Sequence, residues 1–142
     1  FEQINPQDWL RCMQVNVNAP WLLSCACLPL LRNAERGRLF FLLDDLELVT
    51  DAYWGAYGTA KAALSGMVRQ FEASLSNTEV IVHGINPGPM RTAVRAKVYH
   101  AENPLEQPKP EVAAAKISSM LAVATPNPDL IVNLTAQSVE AL

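Results

Sequence analysis

Trp9, Cys12, Met13, Val17, Trp21, Leu23, Cys27, Leu28 and Leu31 recur close to helical spacing, which predicts a long helix from Pro6 to about Arg32. Asn5, Pro6 and Asp8 supply its start: a side-chain cap, a proline at the first position and a carboxylate at the positive end of the dipole. Pro20 and Pro29 are expected to bend it. After a polar break at 33–37, Arg38 to Leu43 reads RLFFLL, a continuous apolar run of the kind found in strands covered on both faces. Trp54 to Leu75 returns to a helical pattern rich in Ala, Leu and Met. Glu79 to Asn86, EVIVHGIN, is β-branched and apolar, and Pro87, Gly88 and Pro89 end it abruptly. Met90 to Pro110 predicts a short helix and then a loop, the segment expected to be most mobile. Glu111 to Ala124 reads as a helix with Ala113, Ala114, Ile117, Met120 and Leu121 facing inward, and Leu130 to Thr135 as a last strand.

Helices alternating with strands predict an α/β domain with a parallel sheet and right-handed crossovers. Three strands make a small sheet. Composition narrows the partners: half of the 142 residues are hydrophobic and 18% are charged, which excludes disorder and leaves no room for a second full domain. Eleven Lys and Arg against 14 Asp and Glu, a net charge of −3, give no electrostatic grip on nucleic acid or anionic membranes. The longest nearly apolar stretch, Ala19 to Leu31, falls short of the about 20 residues of a spanning helix. Cys12, Cys25 and Cys27 lack the spacing of a zinc site, so no metal is expected, and reduced thiols in a cytoplasmic protein fit best. Opening on Phe1 without a basic-then-apolar leader, the sequence reads as a processed chain or a segment of a longer one.

The candidate chemistry centres on Y-G-T-A-K. Tyr57 and Lys61 stand at i and i+4 of a predicted helix, so phenol and ammonium project from one face. A nearby positive charge favours phenolate and would draw the tyrosine below its reference pKa of about 10, toward a value useful in proton transfer. Alone, the pair reads first as an exposed helix surface. Its neighbours change that. RLFFLL precedes it, Pro87 and Gly88 close the next strand, Thr92 follows at P-G-x-x-x-T spacing, and V-N-V at Val15 to Val17 comes before both.

In order and spacing these elements resemble the short-chain dehydrogenase/reductase family over nearly the whole chain. The resemblance implies a Rossmann-like, three-layer parallel sheet, incomplete here. Residues 1–142 would form a single partial dinucleotide-binding domain, the C-terminal half of a doubly wound fold, with 87–110 as a substrate and cofactor loop. The six glycines contain no G-x-G-x-x-G phosphate turn, so the first half of such a fold is expected to lie outside the chain, and the 142 residues alone to be inactive.

The family implies a role at each matching position. Tyr57 would be the acid/base for hydride transfer between nicotinamide and an alcohol/carbonyl pair, and Lys61 would lower its pKa and hold the nicotinamide ribose. Asn16 would kink its helix and complete a proton relay, while Pro87, Gly88 and Thr92 would pass the nicotinamide. NAD or NADP is the implied cofactor, a small alcohol or carbonyl the substrate, and a homo-oligomer the assembly.

Asp44 stands where the family carries a serine. A carboxylate accepts hydrogen bonds only and repels a developing oxyanion, so Asp44 belongs either to altered catalysis or to a cap on the loop from Leu46 to Thr50. It also opens a second reading, a non-catalytic scaffold or binding protein on the same fold. An unrelated small α/β binding module stands third. His83 in a buried strand reads as a hydrogen-bonded core residue, Cys25 and Cys27 as core packing, and Arg91, Arg95 and Lys97 as a solvated helix face.

Overall fold

The computed structural model describes residues 1–123 and 127–134. The long first helix exists, but in three pieces: α1 (Pro6–Met13), a π-helical turn (Gln14–Asn18) and α2 (Ala19–Asn33). Asn5 caps α1 by accepting a hydrogen bond from the Gln7 amide at 2.8 Å, with Pro6 and Asp8 in the first turn as expected. The irregularity falls on V-N-V-N, one turn before Pro20.

β1 (Arg38–Leu42) leads into a short helix α3 (Leu46–Val49) where the sequence reads as loop. Asp45, and not Asp44, caps it through the Leu48 amide. Then come α4 (Gly55–Leu75), β2 (Ile81–Asn86), α5 (Ala93–Val98), a 3-10 turn (Pro104–Glu106), α6 (Pro110–Ala122) and β3 (Ile131–Asn133). Ala124 and Thr135, the expected ends of the last helix and strand, lie outside the described residues.

The three strands form one parallel sheet in the order β1-β2-β3, with Phe40 opposite His83 and Ile85 opposite Val132. Period-two alternation sorts their side chains to two faces. Phe41, Leu43 and Val82 pack with Leu64, Val68, Phe71 and Leu75 of α4, with Leu28 and Leu31 of α2 alongside. On the other face Ile85, Val132 and Leu134 meet Met120 of α6, joined by Phe40 and Ile117. The α/β, three-layer expectation is met.

β1 is less covered than its apolar run predicts: Phe41 is buried, yet Leu42 is 55% exposed, and among the described residues β1 pairs with β2 alone. On α6, Ala113, Ile117 and Met120 turn inward, whereas Ala114 and Leu121 are exposed. Cys25 and Cys27 are exposed instead of packed in the core, and the buried polar residue of α2 is Ser24. The C-terminus of α6 is tied down by Arg36 and Arg38, whose guanidinium groups donate to the Ala122 and Val123 carbonyls, where cations suit the negative end of the dipole.

α4 sits where it does because Gly58 allows it. A Cβ on Gly58 would stand 1.8 Å from the Val49 carbonyl oxygen, so only glycine lets the first turns of α4 close on α3. Gly66, farther along the same helix, has nothing within 4 Å of an added Cβ. Gly58→Ala is therefore expected to destabilise the protein by about 1–3 kcal/mol through overpacking. Gly66→Ala is expected to stabilise it by about 0.5–1 kcal/mol by restricting the unfolded chain. Urea unfolding midpoints check both signs.

Candidate active site

The site is assembled at the C-terminal ends of β1 and β2, where ligands bind in open parallel sheets. Tyr57 lies in the first turn of α4, which begins without a side-chain cap after a tight turn in which Tyr53 and Gly55 adopt φ values of 76° and 50°. The Tyr57 hydroxyl donates a 2.5 Å hydrogen bond to Asp44 Oδ2. Asp44 Oδ1 accepts from the Asp45 amide at 2.8 Å, so both carboxyl oxygens act as acceptors, the role of an ionised carboxylate. One turn along α4, Lys61 is buried, donates to the Leu42 carbonyl at 3.0 Å, and holds Nζ 5.6 Å from the centre of the Tyr57 ring.

These distances reverse one expectation. The Tyr57 pKa is raised above the ordinary phenol value, first by burial and then by the hydrogen bond and charge of Asp44. The Lys61 ammonium itself is pushed below the ordinary lysine value by burial, with Asp44 opposing. Burial first, and Asp44 second, thus favour the protonated form of Tyr57.

Asn16 occupies the middle of the π turn, a device that recurs at functional sites. Its Nδ2 donates to the Cys12 carbonyl at 3.0 Å, a bond within its own helix. Asn18 does the same toward Gln14. The π turn packs on α4, which brings Asn16 to the Lys61 end of a cleft of about 400 Å³ that Leu39 to Leu42 of β1 also line.

Gly88 adopts φ 74° after β2, with its amide held by Asn86 Oδ1 at 3.0 Å, a conformation that exposes backbone beside the site. Thr92 caps α5, its hydroxyl accepting from the Arg95 amide at 3.1 Å.

The loop over 87–110 is braced by arginines that the sequence reads as solvated. Arg91 donates to the Pro104, Leu105 and Gln107 carbonyls. Arg95 forms a two-pronged bond to Glu102 at 2.6 and 2.8 Å and lies 4.2 Å over the Tyr99 ring. That bracing carries Tyr99 to Trp54, ring centres 6.1 Å apart, and Trp54 lies 5.9 Å from Tyr57. Sequence reasoning misses this aromatic wall. Its one signal is the clustering of Tyr53, Trp54 and Tyr57, because Tyr99 arrives only through the tertiary fold.

His83 lies outside the site. It packs edge-on to Phe40 at 5.4 Å, and burial holds its imidazole below the usual histidine range.

The chain thus has a parallel α/β sheet with a tyrosine and a buried lysine one helical turn apart at the C-terminal ends of its strands. The short chain dehydrogenase family model matches residues 1–103, and the chain belongs to that family of oxidoreductases. An uncharacterized oxidoreductase of Escherichia coli K12, YciK, is 43% identical over 100 residues, covering 70% of this chain and 39% of its own length. The human mitochondrial dehydrogenase/reductase SDR family member 2 is 29% identical over 99 residues, 70% of this chain and 35% of its own length. Among solved structures, E. coli yciK superposes with a TM-score of 0.84 at 32% identity, covering 94% of this chain and 54% of that one. A short chain dehydrogenase from Shigella flexneri complexed with NADP gives 0.85 at 31%, covering 94% and 55%. This chain therefore spans well under half the length of those curated relatives and about half of those solved ones.

The Tyr57 shift has a signed consequence. Above pH 10, the unfolded tyrosine loses its proton while the folded one keeps it, so the folded state binds more protons and stability falls as pH rises. Tyr57→Phe is expected to flatten that alkaline fall in urea unfolding series. Asp44→Asn is expected to lower the Tyr57 pKa, read by carbon-13 NMR of labelled tyrosine through an alkaline titration.

Proposed function

We propose that the whole protein transfers hydride between a nicotinamide dinucleotide and the polar double bond of a small molecule, with Tyr57 exchanging the accompanying proton. In the family's usual form the pair is an alcohol and a carbonyl. The observation that carries this reading is the shared placement of the Tyr57 hydroxyl and the Lys61 ammonium on one face of α4 beside the strand ends.

The residues present fit the nicotinamide end of the cofactor. Lys61 has one hydrogen bond among the described residues, to Leu42, which leaves ammonium donors for ribose hydroxyls. Thr92 uses its oxygen as an acceptor toward Arg95 and retains a hydroxyl proton to give. Pro87 and Gly88 offer backbone at close approach. The sequence holds no glycine-rich turn for the pyrophosphate. When bound, the nicotinamide supplies or accepts the hydride. Tyr57 delivers or takes the proton at the substrate heteroatom, Lys61 orients the ribose, and Asn16 orders a water that reconnects Lys61 to solvent. NAD and NADP both remain open; the Shigella relative complexed with NADP supports a nicotinamide dinucleotide in general.

A second reading, a non-catalytic scaffold on the same fold, is favoured by one observation: Asp44 already occupies the Tyr57 hydroxyl and raises its pKa. Association into a homo-oligomer is proposed as well, supported by the exposed Leu10, Trp21, Leu22, Leu23 and Leu30 along α1 and α2. Three free thiols suit a cytoplasmic setting.

Tyr57→Phe in the whole protein is expected to lower hydride transfer by about 100- to 10,000-fold, followed as nicotinamide absorbance. Lys61→Ala is expected to weaken dinucleotide binding in calorimetry. Activity that survives Tyr57→Phe unchanged would remove the assignment, and a protein that binds no nicotinamide at all would establish the scaffold reading.

A further inference from the structure

We infer that the double bond reduced or formed at this site is carbon–nitrogen, so that the substrate is an amine and its iminium partner instead of an alcohol and its ketone. The inference rests on the hydride-transfer reading above and narrows its substrate.

Three independent features of the site carry it. The first is the Asp44 carboxylate, 2.5 Å from the Tyr57 hydroxyl where the proton is exchanged. Hydride addition to a ketone places negative charge on oxygen, and a carboxylate at that spot opposes it. Amine oxidation has the opposite sign. As the hydride leaves carbon for the nicotinamide ring, the nitrogen lone pair becomes the second bond of C=N, and nitrogen turns positive beside Asp44. In reverse, the iminium carbon takes the hydride, the C=N electron pair returns to nitrogen, and a neutral amine results. An ammonium substrate first passes one proton through Tyr57 and the water relay of Lys61 and Asn16 to solvent, so Asp44 stays ionised as the iminium forms.

The second feature is the aromatic wall. The rings form a series through Trp54, whose ring centre lies 5.9 Å from that of Tyr57 and 6.1 Å from that of Tyr99. Faces of aromatic rings attract organic cations, and a ring wall with one carboxylate is a recognised chemistry for ammonium groups. The third is that the guanidinium of the neighbouring loop is already engaged. Arg95 is paired through both prongs with Glu102, which weakens its pull on Asp44. Lys61 keeps its ammonium charge and donates toward the Leu42 carbonyl, away from the ring series.

The test uses shape-matched pairs in the whole protein. Without cofactor, pyrrolidinium is expected to bind more tightly than cyclopentanol by calorimetry, and Asp44→Asn to weaken pyrrolidinium alone by about ten- to a hundredfold. With reduced nicotinamide, methylpyrroline is expected to be reduced in preference to cyclopentanone. Asp44→Ser is expected to reverse that preference, raising ketone reduction by up to about 1000-fold. Trp54→Ala is expected to weaken pyrrolidinium binding while sparing cyclopentanol. Equal binding of pyrrolidinium and cyclopentanol, or cyclopentanone reduced while methylpyrroline is untouched, would overturn the inference and leave hydride transfer standing. Failure to bind nicotinamide would overturn hydride transfer instead, and the cofactor-free binding arm keeps the two failures apart.

Discussion

Gly58 meets the Val49 carbonyl so closely that a methyl group there would lie 1.8 Å from the oxygen, and the rest of the site depends on that approach. It seats the first turn of α4 on α3, directly after the strand end that carries Asp44. Because Tyr57 belongs to that turn, its hydroxyl reaches Asp44 at 2.5 Å without any long-range element holding it there. Lys61, one turn later on the same face, reaches back to the last carbonyl of β1. Asp44, Tyr57 and Lys61 are thus fixed by a single strand–helix–helix unit, with helix packing and parallel pairing of β1 on β2 supplying rigidity.

Within that unit, the hydrogen-bonded carboxylate acts on the phenol from 2.5 Å, where Coulomb energies are large. Burial adds to the carboxylate's effect on Tyr57, since both oppose phenolate. The same burial works against the charge on Lys61. A tyrosine–lysine motif therefore carries no fixed electrostatic meaning, because its third neighbour sets the sign.

The elements with strong periodicity were legible in the sequence: the cap at Asn5, α4 to within a residue, both apolar strands and the short helix after Pro89. Tyr57, Lys61 and the anomaly at Asp44 were legible too, because they lie close together along one helix and the strand before it. Three things were not. The π turn at Gln14–Asn18 leaves no break in hydrophobic spacing, since one extra residue per turn is absorbed within a long helix, and the kink expected at Asn16 came from the family resemblance instead. The caps of α3 fell to Asp45 through backbone geometry that two adjacent aspartates cannot reveal. The exposure of Cys25, Cys27 and Leu42 depends on which surfaces are covered in three dimensions, and periodicity records only that a face is apolar.

One substitution separates this site from the family's pattern, and its consequence is larger than its size. A serine at that position can donate to a negative oxygen or accept from a hydroxyl, so it tolerates either direction of a carbonyl reaction. An aspartate accepts only, and it favours whichever reacting atom becomes more positive along the path. The aromatic side chains of Trp54 and Tyr99 respond to charge in the same sense, and they come from a different part of the chain, brought in by the arginine bracing of the 87–110 loop. Two unrelated structural routes thus converge on one electrostatic preference at the Tyr57 hydroxyl. That agreement is what the proposed amine chemistry asks of the site: a carboxylate and ring faces that both favour positive charge near the Tyr57 hydroxyl.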